Sequence, residues 1–352
     1  MKRITIIGHF GFNAKLLNGQ TIKTKIIAFE LEKKYGAKAI KKIDTRGGAF
    51  KRFYSFLLIC FAFFKSTDII FLPAKNGLKT LAPLLTKLNR IFKRNLHYIT
   101  IGGWLYDYAC HNRKLVSSLE RINYIYVETN YVLRQLSIIG LKNLVLMPNC
   151  KRLNILDENL LTINDSGSFR LCTFSRVSKT KGIEDAVKAV EIVNNQRNKK
   201  TFFLDIFGRV AAEEKEWFSE LAKSFSKNVA YKGEVDFDKT TEILSSYDLL
   251  LFPSYYEGEG FAGTIIDAFS AGLPVIASDW KSNPDIINDK TGRIFETKNV
   301  EKLANAIIEL TDDNVLLFNM RKNCIQEAKK YEINCVMGIL YNNILYKKEV
   351  EK

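Results

Sequence analysis

The sequence predicts an α/β protein with two successive doubly wound parallel sheets, and three observations support this prediction. Apolar runs of strand length alternate with helical patterns along the whole chain. The chain has 352 residues, more than one hydrophobic core usually supports, which favours two domains. The alternation is interrupted by a polar segment at 151–168, which we interpret as the interdomain connection. We expect the two domains to enclose a cleft, where ligands of open α/β sheets usually bind.

The first domain is predicted over residues 1–155. Its six strands are expected where short apolar runs occur, at Arg3–Gly8, Ala37–Ile43, Asp68–Pro73, Leu96–Gly102, Tyr124–Glu128 and Leu144–Pro148. Helical patterns lie between these runs, at Gly19–Lys34, Lys51–Lys65, Gly77–Lys93 and Tyr131–Ile139. The first domain is therefore expected to be a complete doubly wound unit.

The second domain is predicted over residues 166–331. The alternation of strands and helices restarts there, with strands expected at Phe169–Ser175, Phe202–Gly208, Val229–Gly233, Leu249–Pro253 and Pro274–Ser278. The last helical stretch, 332–352, is a candidate for packing back onto the first domain.

Composition excludes several classes of protein. Hydrophobic residues make up 47% of the chain, which excludes general disorder. No apolar run reaches the roughly 18 residues that a membrane-spanning helix needs, and the basic start with its brief apolar run indicates a first strand rather than a signal peptide. The six cysteines form no C-x-x-C pair and the three histidines have no ligand-like spacing, so we expect no zinc site. Reduced thiols indicate a cytoplasmic protein.

Positive charge is concentrated in the first half of the chain. Residues 1–165 contain 27 Lys and Arg against 10 Asp and Glu, whereas the remainder contains 26 against 28. Nucleic acid, an anionic membrane face and a polyanionic substrate are each a possible partner for such a surface. A solvated face with a lysine-rich composition is the simpler alternative.

The segment Lys51–Lys65 is almost wholly apolar and has basic residues at both ends. One interpretation is a buried helix of the first domain. The other is a helix that rests in the membrane interface with its basic flanks on the headgroups. The sequence leaves both interpretations open.

The segment Phe252–Asp279 is the most informative in the chain. It has the pattern of a strand, a glycine-rich acidic loop, a short helix, a turn and a strand. Such a loop presents backbone N–H groups at a helix N-terminus, where an anion is stabilised. Two carboxylates bracket this predicted anion site, Glu259 in the loop and Asp267 in the helix. A ligand with phosphate at one end and hydroxyls at the other fits both features, as a nucleotide sugar does.

A second loop bears two cations. Arg176 and Lys181 follow the first strand of the second domain, and Gly182 opens the next helix. An arginine fork and a lysine five residues later can hold a diphosphate. A solvated basic turn is the alternative, but parallel strands would bring both loops to the same edge of the sheet.

On these two segments the chain resembles bacterial glycosyltransferases of family four, which have the GT-B fold of two facing Rossmann-like domains. The family's R-x4-K-G motif is matched by Arg176, Lys181 and Gly182, and its E-x7-E motif by Glu259, with Asp267 in place of the second glutamate. Further matches are Phe207-Gly208, Pro253-Ser254, Gly272–Ile276 and Pro148-Asn149. The resemblance is specific in the second domain and looser in the first.

The resemblance implies a role for each matched residue. Arg176 and Lys181 would hold the donor diphosphate and stabilise the departing nucleotide, and Glu259 would hold hydroxyls of the donor sugar. Asp267 would hold the ribose hydroxyls. The remaining donor-binding residues in the loop and at the helix start would be Gly260, Phe261, Ala262, Gly263 and Thr264. Gly208 and Val235 would lie at the nucleobase.

The resemblance also implies transfer with retention of anomeric configuration. Breaking the anomeric C–O bond builds positive charge on the sugar and negative charge on the leaving phosphate. Protein cations at that phosphate act where charge develops. Since no D-x-D loop of the metal-dependent type occurs, we expect neither a metal nor a resident cofactor, only the nucleotide sugar as co-substrate.

The first domain is expected to present the acceptor. A loop after the first strand carries candidate acceptor or phosphate residues, His9, Gly19, Gln20, Thr21 and Lys23. Gly103 and Trp104 follow the fourth strand, and an indole ring suits the apolar face of a sugar. Core packing is an equally good interpretation of this Gly-Gly-Trp segment.

The sequence therefore predicts a retaining glycosyltransferase that uses a nucleotide sugar, expected to be a UDP-sugar. The expected acceptor is a saccharide on a lipid diphosphate, in surface polysaccharide biosynthesis. The enzyme would be cytoplasmic and peripheral on the anionic inner face of the plasma membrane. One alternative is a nucleotide-sugar epimerase of the same fold. Another is a basic membrane- or nucleic-acid-binding module, but no aromatic–basic surface motif for nucleic acid occurs, so we expect no nucleic-acid partner.

Overall fold

The computed structural model describes residues 3–11, 19–47, 49–197, 199–236 and 239–345. The chain divides into two compact units, the first made of Met1–Pro148 with Val336–Lys352 and the second of Asn149–Cys335. The first unit thus ends at Pro148, whereas the predicted first domain extended to residue 155. The reason is that Leu153 and Ile155 pack against a hydrophobic core of the second unit.

The first unit contains a six-stranded parallel sheet with the order β2-β1-β3-β4-β5-β6. Its strands are β1 Arg3–Gly8, β2 Ile40–Asp44, β3 Ser66–Leu72, β4 Asn95–Ile99, β5 Tyr124–Val127 and β6 Leu144–Leu146. Its helices are α1 Gly19–Tyr35, α2 Ala49–Lys65, α3 Lys75–Phe92, α4 Leu105–Ala109, α5 Arg113–Leu119 and α6 Asn130–Ile138. Strand order reverses between β1 and β3, so ligands are expected at the carboxyl ends of these two strands.

The second unit also contains a six-stranded parallel sheet, with the order β12-β11-β10-β7-β8-β9. Its strands are β7 Ser168–Phe174, β8 Thr201–Phe207, β9 Val229–Gly233, β10 Leu249–Phe252, β11 Val275–Ser278 and β12 Gly292–Phe295. Its helices are α7 Ile183–Gln196, α8 Lys215–Lys223, α9 Thr240–Leu244, α10 Gly263–Ser270, α11 Asn283–Ile286, α12 Val300–Asp312 and α13 Asn314–Ala328. The last helix, α14 Ile333–Tyr341, begins in the second unit and continues into the first. Strand order reverses between β7 and β10. Strand β12 was not predicted from the sequence, so the sheet has one strand more than the five expected.

Both faces of the second sheet are covered, as β7 shows. Phe169 and Leu171 pack with α7 and α12 in one hydrophobic cluster, whereas Cys172 packs with α10 in another. A parallel sheet buried on both faces needs apolar residues at successive positions. This explains why the strands of the chain appear as continuous apolar runs.

The C-terminal segment belongs to the first unit from Val336 onward. The hydroxyl of Tyr341 donates to the backbone oxygen of Glu30 at 3.3 Å. Further along, the backbone N–H of Leu345 donates to Oδ1 of the buried Asp68 at 2.9 Å. The end of α14 and the residues up to Leu345 are therefore tied to α1 and β3.

Helix α2, which covers the predicted 51–65 segment, has two different faces. Ile59, Ala62 and Phe63 are buried in the core of the first unit. Phe61 and Phe64 on the opposite face are 53% and 65% exposed. The helix therefore contributes to the core with one face and leaves an aromatic face on the surface. Within the described ranges no helix is both long and apolar enough to span a bilayer.

Candidate active site

The candidate site lies in the second unit, at the carboxyl ends of β7 and β10. These neighbouring strands flank the point where strand order reverses, the usual ligand position in an open α/β sheet. The loop after β7 is joined to the loop after β10 by a backbone hydrogen bond from Tyr255 N–H to the oxygen of Thr180, at 2.8 Å. The two segments singled out in the sequence are thus in direct contact.

Gly182 makes this contact possible. Its φ is +67°, and a Cβ placed there would lie 2.2 Å from the backbone oxygen of Pro253. Only glycine fits both the left-handed conformation and this close approach. The glycine of the R-x4-K-G match therefore sets the distance between the two loops.

The two cations of the first loop lie over one aromatic ring of the second loop. The guanidinium carbon of Arg176 is 5.6 Å and Nζ of Lys181 is 5.2 Å from the ring centroid of Tyr256. Arg176 is exposed, whereas the side chain of Lys181 is largely buried. Both positive charges are thus within cation–π distance of Tyr256.

Lys181 also pairs with Glu259, the first carboxylate of the acidic loop. The hydroxyl of Ser254 donates to the same carboxylate at 2.5 Å. Both contacts are made to Oε2 of Glu259, whose side chain is buried. A buried carboxylate is tolerated when it is paired and hydrogen-bonded in this way.

Helix α10 begins at the end of the acidic loop. Its first residues are Gly263 and Thr264, and the residue before them, Ala262, has no side chain that can cap the helix. The first N–H groups of a helix have no intrahelical partner and attract anions. The hydroxyl of Thr264 donates to the backbone oxygen of Phe174 at 2.6 Å, which ties the helix start to the end of β7.

The middle of the acidic loop is packed inward. Gly260 and Phe261 are buried, and the ring of Phe261 meets the ring of Tyr331 edge-on, with 4.8 Å between centroids. The side-chain amide of Asn149 donates to the backbone oxygen of Phe261 at 3.0 Å. Asn149, from the Pro148-Asn149 match, therefore supports the loop rather than lying apart from it.

Asp267, the second carboxylate, forms an ion pair with Lys151. Burial raises the pKa of Asp267 above its usual value, while the charge and hydrogen bond of Lys151 oppose this increase. A Cβ on Gly263 would lie 2.9 Å from Cε and 3.1 Å from Nζ of Lys151, so this lysine lies against the start of α10. Lys151 was not among the predicted site residues. Its position two residues after Asn149 was the signal that could have revealed it.

Gly208 and Val235 lie at the edge of the site nearest β8. Gly208 has φ +124°, and a Cβ there would lie 1.8 Å from the backbone oxygen of Ser175. The N–H of Gly208 donates to the oxygen of Gly233 at 2.8 Å. Val235 is half-buried and packs against the core cluster that contains Phe207. The predicted contact of Gly208 and Val235 with a nucleobase stays a prediction.

The predicted acceptor residues of the first unit have different surroundings. His9 is half-buried just after β1, and Gly19 is exposed at the start of α1. The amide of Gln20 donates to the backbone oxygen of Leu72 at 3.3 Å, and Thr21 is buried. Residues 12–18 of the predicted loop lie outside the described residues.

The side chain of Lys23 is buried. Its ammonium pairs with Glu128, just after β5, and donates to the backbone oxygen of Thr100 at 3.1 Å.

Of the Gly-Gly-Trp segment, Gly103 is buried. Trp104 is half-buried, packs against the core of the first unit, and donates from Nε1 to the backbone oxygen of Ile101 at 2.7 Å. The core-packing interpretation of Trp104 thus has structural support, and the acceptor roles of these residues stay predictions.

No cluster of three or more His, Cys, Asp or Glu side chains that could hold a metal ion occurs in the described part of the chain. The expectation that the reaction needs no metal stays a prediction.

Residues 162–331, just under half of the chain, match the family model of glycosyl transferases group 1. The chain is 27% identical over 193 residues to the poly(ribitol-phosphate) alpha-N-acetylglucosaminyltransferase of Staphylococcus aureus, covering 50% of this chain and 38% of that protein. It is 37% identical over 83 residues to the UDP-Gal:alpha-D-GlcNAc-diphosphoundecaprenol alpha-1,3-galactosyltransferase of Escherichia coli, covering 23% of this chain and 21% of that one. The matched segments span about two fifths or less of the curated relatives' own lengths.

The crystal structure of Anabaena HepE in complex with UDP is similar in fold to this chain. The similarity covers 97% of this chain and 99% of that chain, with a TM-score of 0.72 and 14% sequence identity. The predicted fold class, two Rossmann-like domains of the GT-B type, is confirmed. The match of residues 162–331 to the group 1 model, together with the similar glycosyltransferases, confirms the resemblance to the family-four glycosyltransferases.

Proposed function

We propose that this protein transfers a sugar, with retention of anomeric configuration, from a UDP-sugar to a saccharide acceptor carried on a lipid diphosphate. The observation that carries the proposal is the convergence of Arg176, Lys181 and Glu259 beside the start of α10. Two cations and a helix N-terminus suit a diphosphate. The buried carboxylates suit the hydroxyls on either side of it.

The proposed chemistry follows from this arrangement. When the bond between the anomeric carbon and the diphosphate oxygen breaks, positive charge develops on the sugar and negative charge on the nucleotide. Arg176, Lys181 and the N–H groups of Gly263 and Thr264 would stabilise the departing diphosphate. They need no reorganisation, because both loops are already fixed by Gly182 and the Tyr255–Thr180 hydrogen bond.

Glu259 would position the donor sugar. Lys181 and Ser254 both contact Oε2, so Oε1 is the oxygen that we expect to accept from a sugar hydroxyl. Asp267 would accept from the two ribose hydroxyls, as an acidic residue does in dinucleotide-binding folds.

The choice of donor and acceptor rests on the similar proteins. The similar HepE structure was solved with UDP, and the E. coli relative is named for a UDP-sugar donor and a diphosphoundecaprenol acceptor. The S. aureus relative is named for a polyol-phosphate polymer. We therefore propose a role in surface polysaccharide or glycopolymer synthesis at the inner face of the plasma membrane, with the first unit presenting the acceptor.

A two-stage experiment tests the proposal. Calorimetry with UDP, GDP, ADP and a panel of their sugars should identify a UDP-sugar as the tightest ligand. Incubation of that sugar with saccharide acceptors on a lipid diphosphate should then release UDP and give a product whose anomeric configuration, measured by NMR, matches the donor. Rapid interconversion of UDP-sugars without any acceptor would instead identify an epimerase and overturn the transferase proposal.

A further inference from the structure

The exposed face of α2 is an aromatic surface that the proposed chemistry does not use. It is formed by Phe53, Tyr54, Leu57, Phe61 and Phe64, which we call the α2 surface. Phe53 and Phe64 are 62% and 65% exposed, and the other three are also exposed. Because residues at i, i+4 and i+8 of a helix share one face, Phe53, Leu57 and Phe61 form a continuous stripe. A monomeric protein rarely leaves so many contiguous aromatic side chains in water without a partner.

The surroundings of this stripe are basic. Helices α2 and α3, over residues 49–65 and 75–92, contain no Asp or Glu. Lys65 at the end of α2 is exposed, as are Lys87 and Arg90 on α3. The Nζ of Lys41 lies 5.4 Å from the ring centroid of Phe61, so positive charge also borders the stripe from β2.

Helix α3 extends the same surface. The ring of Phe92 lies 4.7 Å from that of Phe64 and 5.6 Å from that of Phe63, which joins the end of α3 to the end of α2. Ile91, next to this contact, is 77% exposed. The apolar surface therefore continues from α2 onto the last turn of α3, between the basic side chains of that helix.

We propose that the α2 surface is the membrane-docking face of the first unit and that its partner is an anionic lipid bilayer. Aromatic and aliphatic side chains would enter the headgroup region while Lys41, Lys65 and Arg90 contact anionic headgroups. A helix that lies in the interface needs one buried and one exposed face, which α2 has, and does not need the length of a membrane span.

Charge favours lipid over a second copy of the chain. Residues 1–165 carry 27 basic against 10 acidic side chains, so two such surfaces would repel each other, whereas an anionic bilayer attracts them. The biological role of this surface rests on the proposed function. A lipid-linked acceptor would be presented to the enzyme at the bilayer that the α2 surface contacts.

The test is co-sedimentation of the full chain with vesicles of phosphatidylcholine alone and with vesicles that also contain phosphatidylglycerol. We expect wild type to bind the anionic vesicles at least tenfold more tightly. The double variant F61S/F64S should lose at least tenfold of that affinity, while Ile138→Ser, at a residue that is 73% exposed on α6, should stay within twofold of wild type. Absence of wild-type binding, or equal binding to both vesicle types, would overturn the inference.

A second pair of variants tests the charge. K65E/R90E should lose the preference for anionic vesicles, whereas K215E/K302E, with the same change in charge at exposed lysines of the second unit, should keep most of it. Phe53→Ser provides an independent test of the stripe if F61S/F64S fails to fold. If the F61S/F64S change converts a dimer into a monomer and leaves vesicle binding intact, the surface is a self-association interface and the inference is wrong.

UDP binding separates this inference from the proposed function. All variants should bind UDP as wild type does, because the α2 surface lies in the first unit and the donor site in the second. Loss of vesicle binding with intact UDP binding supports the inference whatever the sugar donor is. If the protein binds vesicles but no nucleotide, the membrane-docking role of the α2 surface is supported and the proposed function is contradicted.

Discussion

The ammonium of Lys151 pairs with the carboxylate of Asp267, which lies 116 positions later in the chain. The same lysine lies against Gly263, the first residue of α10. One cation thus connects the carboxylate proposed for the ribose with the helix start proposed for the diphosphate.

Lys151→Met should weaken UDP binding by about tenfold or more. The change leaves Asp267 buried without its cation, and breaking one partner of a buried pair costs about 3–5 kcal/mol of stability unless the remaining charge is neutralised. Calorimetry with UDP measures the effect. Lys290→Met, at an exposed lysine of the same unit, is the control and should change nothing; a K151M protein with wild-type affinity would remove Lys151 from the site.

The affinity for UDP should decrease as the pH falls through the pKa of Asp267, which burial raises. A protonated carboxyl accepts hydroxyl hydrogen bonds less well than a carboxylate. Because the pKa in the folded state lies above that in the unfolded state, the contribution of this group to stability is fully present below the unfolded pKa and is lost as pH rises through the folded pKa. Calorimetry at a series of decreasing pH values should show the decrease. An unchanged pH profile in Asp267→Asn would show that another group causes it.

Arg176→Ala and Lys181→Ala should each lower kcat by about two to three orders of magnitude, the usual loss on removing one donor that stabilises transition-state charge. Lys179→Ala is the matched control, because Lys179 is an exposed cation of the same loop. Its kcat should stay within about threefold of wild type, as for a surface charge. Turnover assays with the donor identified above measure all three; near-normal activity of either variant would contradict the diphosphate assignment.

Gly182→Ala should destabilise the second unit by at least about 2 kcal/mol, because alanine would be strained at positive φ and would overlap the backbone of Pro253. Gly338→Ala is the opposite case. A Cβ at this helical glycine of α14 meets nothing within 4 Å, so alanine should stabilise the protein by up to about 1 kcal/mol. Denaturant unfolding compares the two, and an equal effect of both changes would contradict the close approach.

Asp68→Ala should destabilise the first unit by about 3 kcal/mol, because it removes a buried acceptor from several donors at once. Oδ1 of Asp68 accepts from Asn95 at 2.9 Å and from Leu345 N–H at 2.9 Å. Burial alone would raise the pKa of Asp68, but hydrogen bonds from His97, Thr67, Leu345 and Asn95 lower it. The stability that this carboxylate provides is therefore present above its unfolded pKa and is lost as pH falls through the folded value.

Two measurements check the Asp68 prediction. Unfolding of D68A should require less denaturant, and limited proteolysis should cut the chain between Tyr341 and Leu345 faster than in wild type. Asp68→Asn keeps one acceptor oxygen, so its stability and its rate of proteolysis should lie between those of wild type and D68A. If D68A resists proteolysis as wild type does, Asp68 does not hold this segment.

Much of the fold could be predicted because it depends on local patterns. The bounds of β1 and β9 agree with the predicted runs, since each is a short apolar segment between polar ones. Strand β12, Gly292–Phe295, was missed because it is four residues long, contains Arg293, and has two half-buried positions in its middle. Short strands with such patterns cannot be separated from loops by periodicity.

The candidate site was only partly predictable, because its contacts join distant parts of the chain. The positions of Arg176, Lys181 and Glu259 followed from motifs at strand ends. The pairing of Lys23 with Glu128 joins residues 105 positions apart, and that of Lys151 with Asp267 joins residues 116 positions apart. No local sequence pattern indicates which lysine pairs with a buried carboxylate. The sequence therefore did not indicate that Lys23, a candidate acceptor or phosphate residue, pairs with Glu128.

The close approach of Gly182 to Pro253 and of Gly208 to Ser175 means that the loops of the second unit meet through main-chain atoms. Their spacing is independent of most side chains, and insertions or deletions in these loops would destroy it. Attempts to engineer an altered sugar preference should consequently keep loop length constant and vary residues whose side chains project from the fixed backbone. Tyr256, whose ring lies beneath both cations, is the first position to randomise.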